Sequence, residues 1–479
     1  MKTNLFLKNT ELELGILDSA QNLIIWDQHT IAPSEASERK AKESEYFAQL
    51  LHNKLTDKKY IFNLNRLKAS KLSKSDAAIL RLRKKEVKKL VKLPVSLLKE
   101  QEIVKSRAIV AWEQARDENK FSIFAPQLEK LISLQLKEAD LLNQDPYECA
   151  LANYDETLTS KEVTELLLAL KESIVPLIHK KRQNHSLHNI NFPKHQQQIL
   201  VKDLLNVIGL DKNTTIGETT HPFQTSLAHK DNRIALIYKA NDIIFCIGTA
   251  LHEGGHALYQ QGMPKNICNT ILADAPGMSF HESQSRLYET IIGQSYSFVK
   301  FYYPRLEKLF PQQLKYTGLE HFYKAVNNVK PSLIRINSDE LTYCLHIIIR
   351  FELEKRLLDR SLKVKDLPNE WSKLYKKYLG ITPTNMKNGV LQDIHWGDGS
   401  FGYFPSYAVG NVIAGMFSKL LEKELKTVNK TKLNVIKERL RDLLHKHGAV
   451  YESKDMIKKI FKDNITIKPY VAYLTDKYG

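Results

Sequence analysis

The chain has 479 residues, 43% of them apolar and 26% charged, with a formal net charge of +17. That much carbon suits a large buried core and is too much for a disordered chain. No run reaches the roughly 18 apolar residues of a membrane-spanning helix, Met1 to Gly15 lacks the unbroken apolar stretch of an export signal, and the four cysteines (Cys149, Cys246, Cys268, Cys344) form no C-x-x-C pair, which argues against a disulfide scaffold or zinc knuckle.

Taken in chain order, the pattern is strongly helical. Ile16, Leu17, Ala20, Leu23 and Ile24 recur at three- and four-residue steps, predicting a helix over 10–27 that ends before Pro33. The same test predicts helices over 75–93, 126–143 and 160–181. Between Lys54 and Lys99 the basic excess interleaves with apolar residues, as in Lys84, Lys85, Lys88, Lys89 and Lys92 against Val87, Leu90 and Val91. The run from Lys84 to Lys92 has no aromatic interleaving, and no RNA-binding or finger signature is present, so a solvated helix face is expected and no nucleic-acid partner. Arg233 to Tyr238 is the clearest strand, bounded by Asp231-Asn232 and Asn241-Asp242. Further helices are predicted over 283–300, 340–358 and 408–426. No Pro-, Gly- or Ser-rich stretch divides the sequence, so residues 1–479 are expected to form one large domain.

Chemistry enters at Thr249. In T-A-L-H-E-G-G-H-A-L-Y, residues His252, Glu253 and His256 form H-E-x-x-H. On a helix the two imidazoles share a face and can reach one metal ion, while Glu253 lies beside it, placed to take a proton from water and pass it to a departing amine. Two adjacent glycines, Gly254 and Gly255, cost a helix interior about 1 kcal/mol each and need a reason, for which close backbone approach around a metal is one. A catalytic zinc site takes three protein ligands. Glu282 and His281, at the start of the next predicted helix, compete for the third place.

These segments resemble the carboxypeptidase Taq family of metallocarboxypeptidases. In that family the glutamate matching Glu282, 26 residues after His256, is the third zinc ligand. The resemblance extends through N22-L-I-I-W-D-Q-H-T-I-A-P33, H221-P-F223, D231-N-R-I-A235, I334-R-I-N-S-D339, G389-V-L-Q-D-I-H-W396 and G399-S-F-G-Y-F-P-S-Y407. Ala32, Ala235 and Ser338 depart from the family pattern. None of the three is a metal ligand.

The resemblance implies a mostly α-helical fold with a deep groove and a small antiparallel sheet beside the metal helix. It also implies Zn2+, or Co2+ or Mn2+ in its place, and release of single residues from peptides with a free carboxyl terminus. A homodimer acting in the cytoplasm, with no nucleic-acid or membrane partner, is expected. Removing a terminal residue needs a cation for the terminal carboxylate, for which Arg335 is the first candidate and Arg350 the second, the latter also free to pair with Glu354 four residues on. The developing oxyanion needs a donor, for which Tyr407, Tyr403 and His395 are candidates. His221 is a further substrate contact, and Asp339 and Asp393 can orient ligand imidazoles. Arg233 to Tyr238, as an edge strand, can pair with substrate backbone. An oligoendopeptidase or dipeptidyl carboxypeptidase shares the metal chemistry, and a basic non-enzymatic binding protein is the remaining alternative.

Overall fold

The computed structural model describes residues 4–180, 185, 187 and 190–479; Met1 to Thr3 and residue 181, the last of a predicted helix, lie outside them. The chain is mostly helical and forms two compact units, each assembled from three separate stretches. Among the described residues no helix is long and apolar enough to cross a membrane.

The first unit comprises Met1–Val91, Ser186–Val326 and Phe417–Asn464. It opens on helix Leu5–Thr30, capped by the Asn4 side chain accepting from the Leu7 amide at 3.2 Å. Its small sheet has the order β1-β3-β2, with β1 (Thr215–Glu218) parallel and β2 (Phe223–Ala228) antiparallel to β3 (Asp231–Leu236). The sheet is therefore mixed, where an antiparallel one was expected. β3, the predicted strand shifted by two residues, is central. Ile234, Ala235 and Leu236 are buried, and strands occupy both of its edges, so it is not the edge strand the sequence suggested.

Beside β3 runs helix Ile243–Gly262, started by the Asp242 side chain accepting from the Phe245 amide at 3.0 Å. It packs on β3, on helix Lys194–Val207 and on helix Met278–Arg286. Being covered on several sides explains its continuous apolar run. The helix predicted over 283–300 is broken. After Arg286 the chain makes one wide turn, Leu287–Ile292, in which the Gly293 amide reaches the Tyr288 carbonyl five residues back at 2.9 Å. A new helix, Tyr296–Leu309, then begins at a Ser295 cap.

The second unit comprises Lys92–His185, Asn327–Met416 and Ile465–Gly479. Helices Val95–Asp117 and Phe121–Leu142 form a hairpin, and Ser160–Lys180 packs on Glu340–Leu358. The last of these is buried along nearly its whole length and bears His346, Arg350 and Glu354 inward. An irregular stretch from Gly380 to Tyr403 leads into helix Phe404–Leu420.

Candidate metal centre and the arginine–aromatic cluster

Helix Ile243–Gly262 brings His252 and His256 to one face, and helix Met278–Arg286 carries Glu282 towards them. The three donor groups lie within 4.8 Å of one another. Nε2 of His252 is 3.8 Å from Glu282 Oε1, and Nε2 of His256 is 3.5 Å from Glu282 Oε2. Ligands on a tetrahedral ion with bonds near 2.1 Å stand about 3.4 Å apart, so this donor set fits a divalent cation. A second observation agrees: among the described residues, Glu282 Oε1 is buried with no hydrogen-bond partner.

The approach of the two helices depends on glycine. A Cβ on Gly255 would lie 2.5 Å from the Gln284 carbonyl oxygen and 2.7 Å from Ser285 Cα, so only glycine lets the helix that carries Glu282 come this close. Gly254 has a different reason, since its Cβ would meet the side-chain ends of Ile208 and Leu205 at 2.7 and 2.9 Å.

Both imidazoles are oriented from behind. Nδ1 of His252 lies 2.8 Å from Glu289 Oε2, which Arg286 also holds at 2.6 Å. Nδ1 of His256 lies 2.6 Å from Nδ1 of His281, whose ring stacks on it at 4.5 Å and whose Nε2 is 3.3 Å from the Gln260 side-chain amide. Burial and the neighbouring His256 hold the His281 pKa well below its ordinary value, which leaves a neutral ring to accept from His256. His281 thus backs a ligand, and the metal-facing group contains Glu282. Glu289 is the site residue that sequence reasoning did not single out, although the stretch H281-E-S-Q-S-R-L-Y-E289 ends on it, seven residues after Glu282.

Electrostatics follow from this crowding. Burial works against a charged His252, but Glu282 and Glu289 outweigh it and hold the ring's pKa up to about 9. Burial likewise opposes ionised Glu282, yet His252 and His256 bring its carboxyl down to about 2. Glu253 is buried, and burial raises its carboxyl above the usual range while His252 and His256 pull the other way. Within the same unit a cavity of about 650 Å³ is lined by Gln224, Ser226, Asn232, Gln260 and His281, placing the outer strand β2 along its wall. His221 is exposed in the connection between β1 and β2.

The second unit gathers the other candidates. Arg335 Nε donates to Asp393 Oδ1 at 3.0 Å, its Nη1 to the Tyr343 hydroxyl at 3.2 Å, and its guanidinium lies 5.0 Å from the Tyr407 ring. Arg350 has no exposed surface. It donates to Asp393 Oδ2 at 2.6 Å, to the His346 carbonyl at 2.7 Å and to the Tyr375 hydroxyl at 3.3 Å. The Arg350–Glu354 pair suggested by their spacing is not formed. Asp393 binds both arginines, and the pair holds its carboxyl well below the usual range against burial. Asp339 caps helix Glu340–Leu358 through the Thr342 amide at 2.9 Å. The orienting carboxylate found behind a candidate ligand imidazole is therefore Glu289, and neither of these aspartates. His395 Nε2 lies 3.4 Å from the Tyr407 hydroxyl, and Tyr403 packs edge-on against Tyr407 at 5.1 Å.

Comparison with known proteins agrees in sequence and in fold. Residues 6–478 match the family model described as carboxypeptidase Taq (M32) metallopeptidase. Carboxypeptidase 1 of Bacillus subtilis (strain 168) is 34% identical over 471 residues, 95% of this chain and 94% of that one. Thermostable carboxypeptidase 1 of Thermus thermophilus is 33% identical, covering 98% of this chain and 96% of the relative. The crystal structure of an M32 carboxypeptidase from Deinococcus radiodurans R1 superposes with a TM-score of 0.94 at 31% identity, over 99% of this chain and 98% of that one.

Proposed function

The chain belongs to the carboxypeptidase Taq (M32) metallopeptidases and is a metallocarboxypeptidase; from that premise we propose that it uses zinc and releases single amino acids, with broad side-chain tolerance, from peptides with a free carboxyl terminus. The observation that carries this reading is the convergence of His252, His256 and Glu282, with Glu282 Oε1 buried and unpartnered among the described residues. Two imidazoles and a carboxylate suit zinc, and also cobalt or manganese.

When bound, such an ion supplies Lewis acidity, lowering the pKa of water and polarising the scissile carbonyl. Glu253 takes the proton from the attacking water on its carboxylate and delivers it to the leaving nitrogen as the C–N bond breaks. Glu289 and His281 keep the two imidazoles turned so that Nε2 faces Glu282. The outer edge of β2, in place of β3, pairs with extended substrate backbone.

Arg335 receives the terminal carboxylate. Two buried guanidiniums share the single carboxylate of Asp393, leaving a net positive charge that an anion neutralises. Arg350, with every contact inside the protein, holds Asp393 in place. Tyr407 and His395 donate to the developing oxyanion, and Tyr403 and His221 contact the peptide. The same reading has the enzyme act as a homodimer in the cytoplasm, without nucleic-acid or membrane partners.

The test uses one peptide in unblocked and carboxy-amidated form. Free amino acids are expected from the unblocked peptide alone, and Glu253→Gln is expected to keep its metal while losing roughly 10²- to 10⁴-fold in rate. Cleavage of the amidated peptide would point to an endopeptidase.

A further inference from the structure

Glu354 has no exposed surface, and its hydrogen bonds go to none of Arg335, Asp393 and Arg350. Its carboxylate accepts at both oxygens: Oε1 from the Trp396 ring N–H at 2.8 Å, and Oε2 from the Gly402 amide at 3.1 Å and the Tyr147 hydroxyl at 3.5 Å. Trp396 and Gly402 stand at the two ends of one irregular segment. That segment turns through left-handed backbone at Gly399 (φ 78°) and Gly402 (φ 82°), and Gly402 is pressed so close to Ala150 that a Cβ would lie 2.6 Å from its carbonyl carbon. His395 and Tyr403 flank the segment, and Tyr407 follows one helical turn later.

A carboxylate in this setting is expensive. Burial raises its pKa to about 8 despite three donors and the nearby Arg350, and an apolar side chain would fill the space at lower cost. What an apolar residue cannot do is accept from both ends of the segment at once. We propose that Glu354 is a positioning residue for the carboxypeptidase reaction: one carboxylate ties Trp396 to Gly402 and so fixes His395, Tyr403 and Tyr407 for their contact with substrate. This rests on the reading that those three side chains touch the peptide.

The test compares full-length, metal-loaded wild type with Glu354→Gln, whose amide keeps the volume but turns an N–H towards one of the two donors. Hydrogen–deuterium exchange and steady-state kinetics on an unblocked peptide are both read at pH 9, above the value of about 8 to which burial raises the Glu354 carboxyl, where both of its oxygens accept. Exchange protection is expected to fall in residues 395–404 and not across the rest of the unit. kcat is expected to fall about 10- to 100-fold with KM within about threefold, and Glu354→Asp, with two acceptor oxygens, to recover part of kcat. If Glu354→Gln does not fold, Trp396→Phe removes a single tie and is read the same way. Unchanged protection in 395–404, or a loss spread evenly over the unit, overturns the proposal. Local loosening with unchanged kcat also overturns it, and assigns the fault to the roles given to His395 and Tyr407. Failure of the functional reading itself would be separate and visible beforehand, as a wild type that releases no amino acid.

Discussion

Gly255→Ala adds one methyl group at the point where the two helices that carry the candidate metal ligands touch. The new Cβ would lie 2.5 Å from the Gln284 carbonyl oxygen and 2.7 Å from Ser285 Cα, both backbone atoms that no rotamer change can move, where ordinary contact begins at 3.4 Å. Helix Met278–Arg286 must therefore retreat by roughly 1 Å, because dispersion gives no tolerance inside contact distance. Glu282 retreats with it. Metal–ligand bonds hold to about ±0.2 Å, so the carboxylate is lost as a ligand and affinity for zinc is expected to fall roughly 100-fold. Competition with a chromophoric chelator measures this directly. Gly254→Ala is the matched control: its Cβ meets only the movable ends of Ile208 and Leu205, so it is expected to cost about 1–3 kcal/mol of stability with metal affinity intact. Gly255→Ala binding zinc within threefold of wild type would refute the argument.

Other variants probe the surroundings. Asp393→Asn leaves two buried guanidiniums without their shared carboxylate and is expected to destabilise by about 3–5 kcal/mol, measured by denaturant unfolding. Glu289→Gln removes the carboxylate behind His252; zinc affinity is expected to drop about 10- to 100-fold, and in metal-free protein the His252 pKa, held up to about 9, is expected to fall by NMR titration. Glu354 predicts a pH dependence of stability. Unfolded, its carboxyl gives up a proton near 4.5; folded, it holds the proton to about 8. Between those values the native state binds more protons, so stability declines as pH rises and levels off above 8. Relative to Glu354→Gln, wild type is expected to lose a few kcal/mol between pH 5 and pH 8, and parallel stability curves would contradict the burial argument.

The histidine pair of the candidate metal site and most long helices were legible because their signals are local. H-E-x-x-H is a spacing on one helix, and the predicted 340–358 coincides with Glu340–Leu358 because its apolar period is unbroken. What failed depends on partners distant in sequence. β1 and β2 are short, half-exposed and rich in Thr, Gly, Gln and Ser, so neither shows alternation. β3 was read as an edge although Ile234-Ala235-Leu236, buried without interruption, is the mark of a strand covered on both faces. The wide turn at Leu287–Ile292 left no trace, since Leu287, Ile291 and Ile292 also fit a straight helix. Arg350 and Glu354 are four residues apart, yet each found a partner more than 40 residues away, Asp393 and Gly402. The division into two compact units leaves no mark in the linear chain, because each joins three separate stretches and no linker separates them.

The most direct measurement is the metal content of the purified protein, taken together with that of Glu282→Ala. One divalent ion per chain in wild type, removable by chelation with loss of amino-acid release and restored by zinc, is the predicted result, with Glu282→Ala retaining almost none under the same dialysis. Stoichiometric metal in Glu282→Ala, or full peptidase activity in the chelated wild type, would contradict a catalytic ion held by His252, His256 and Glu282.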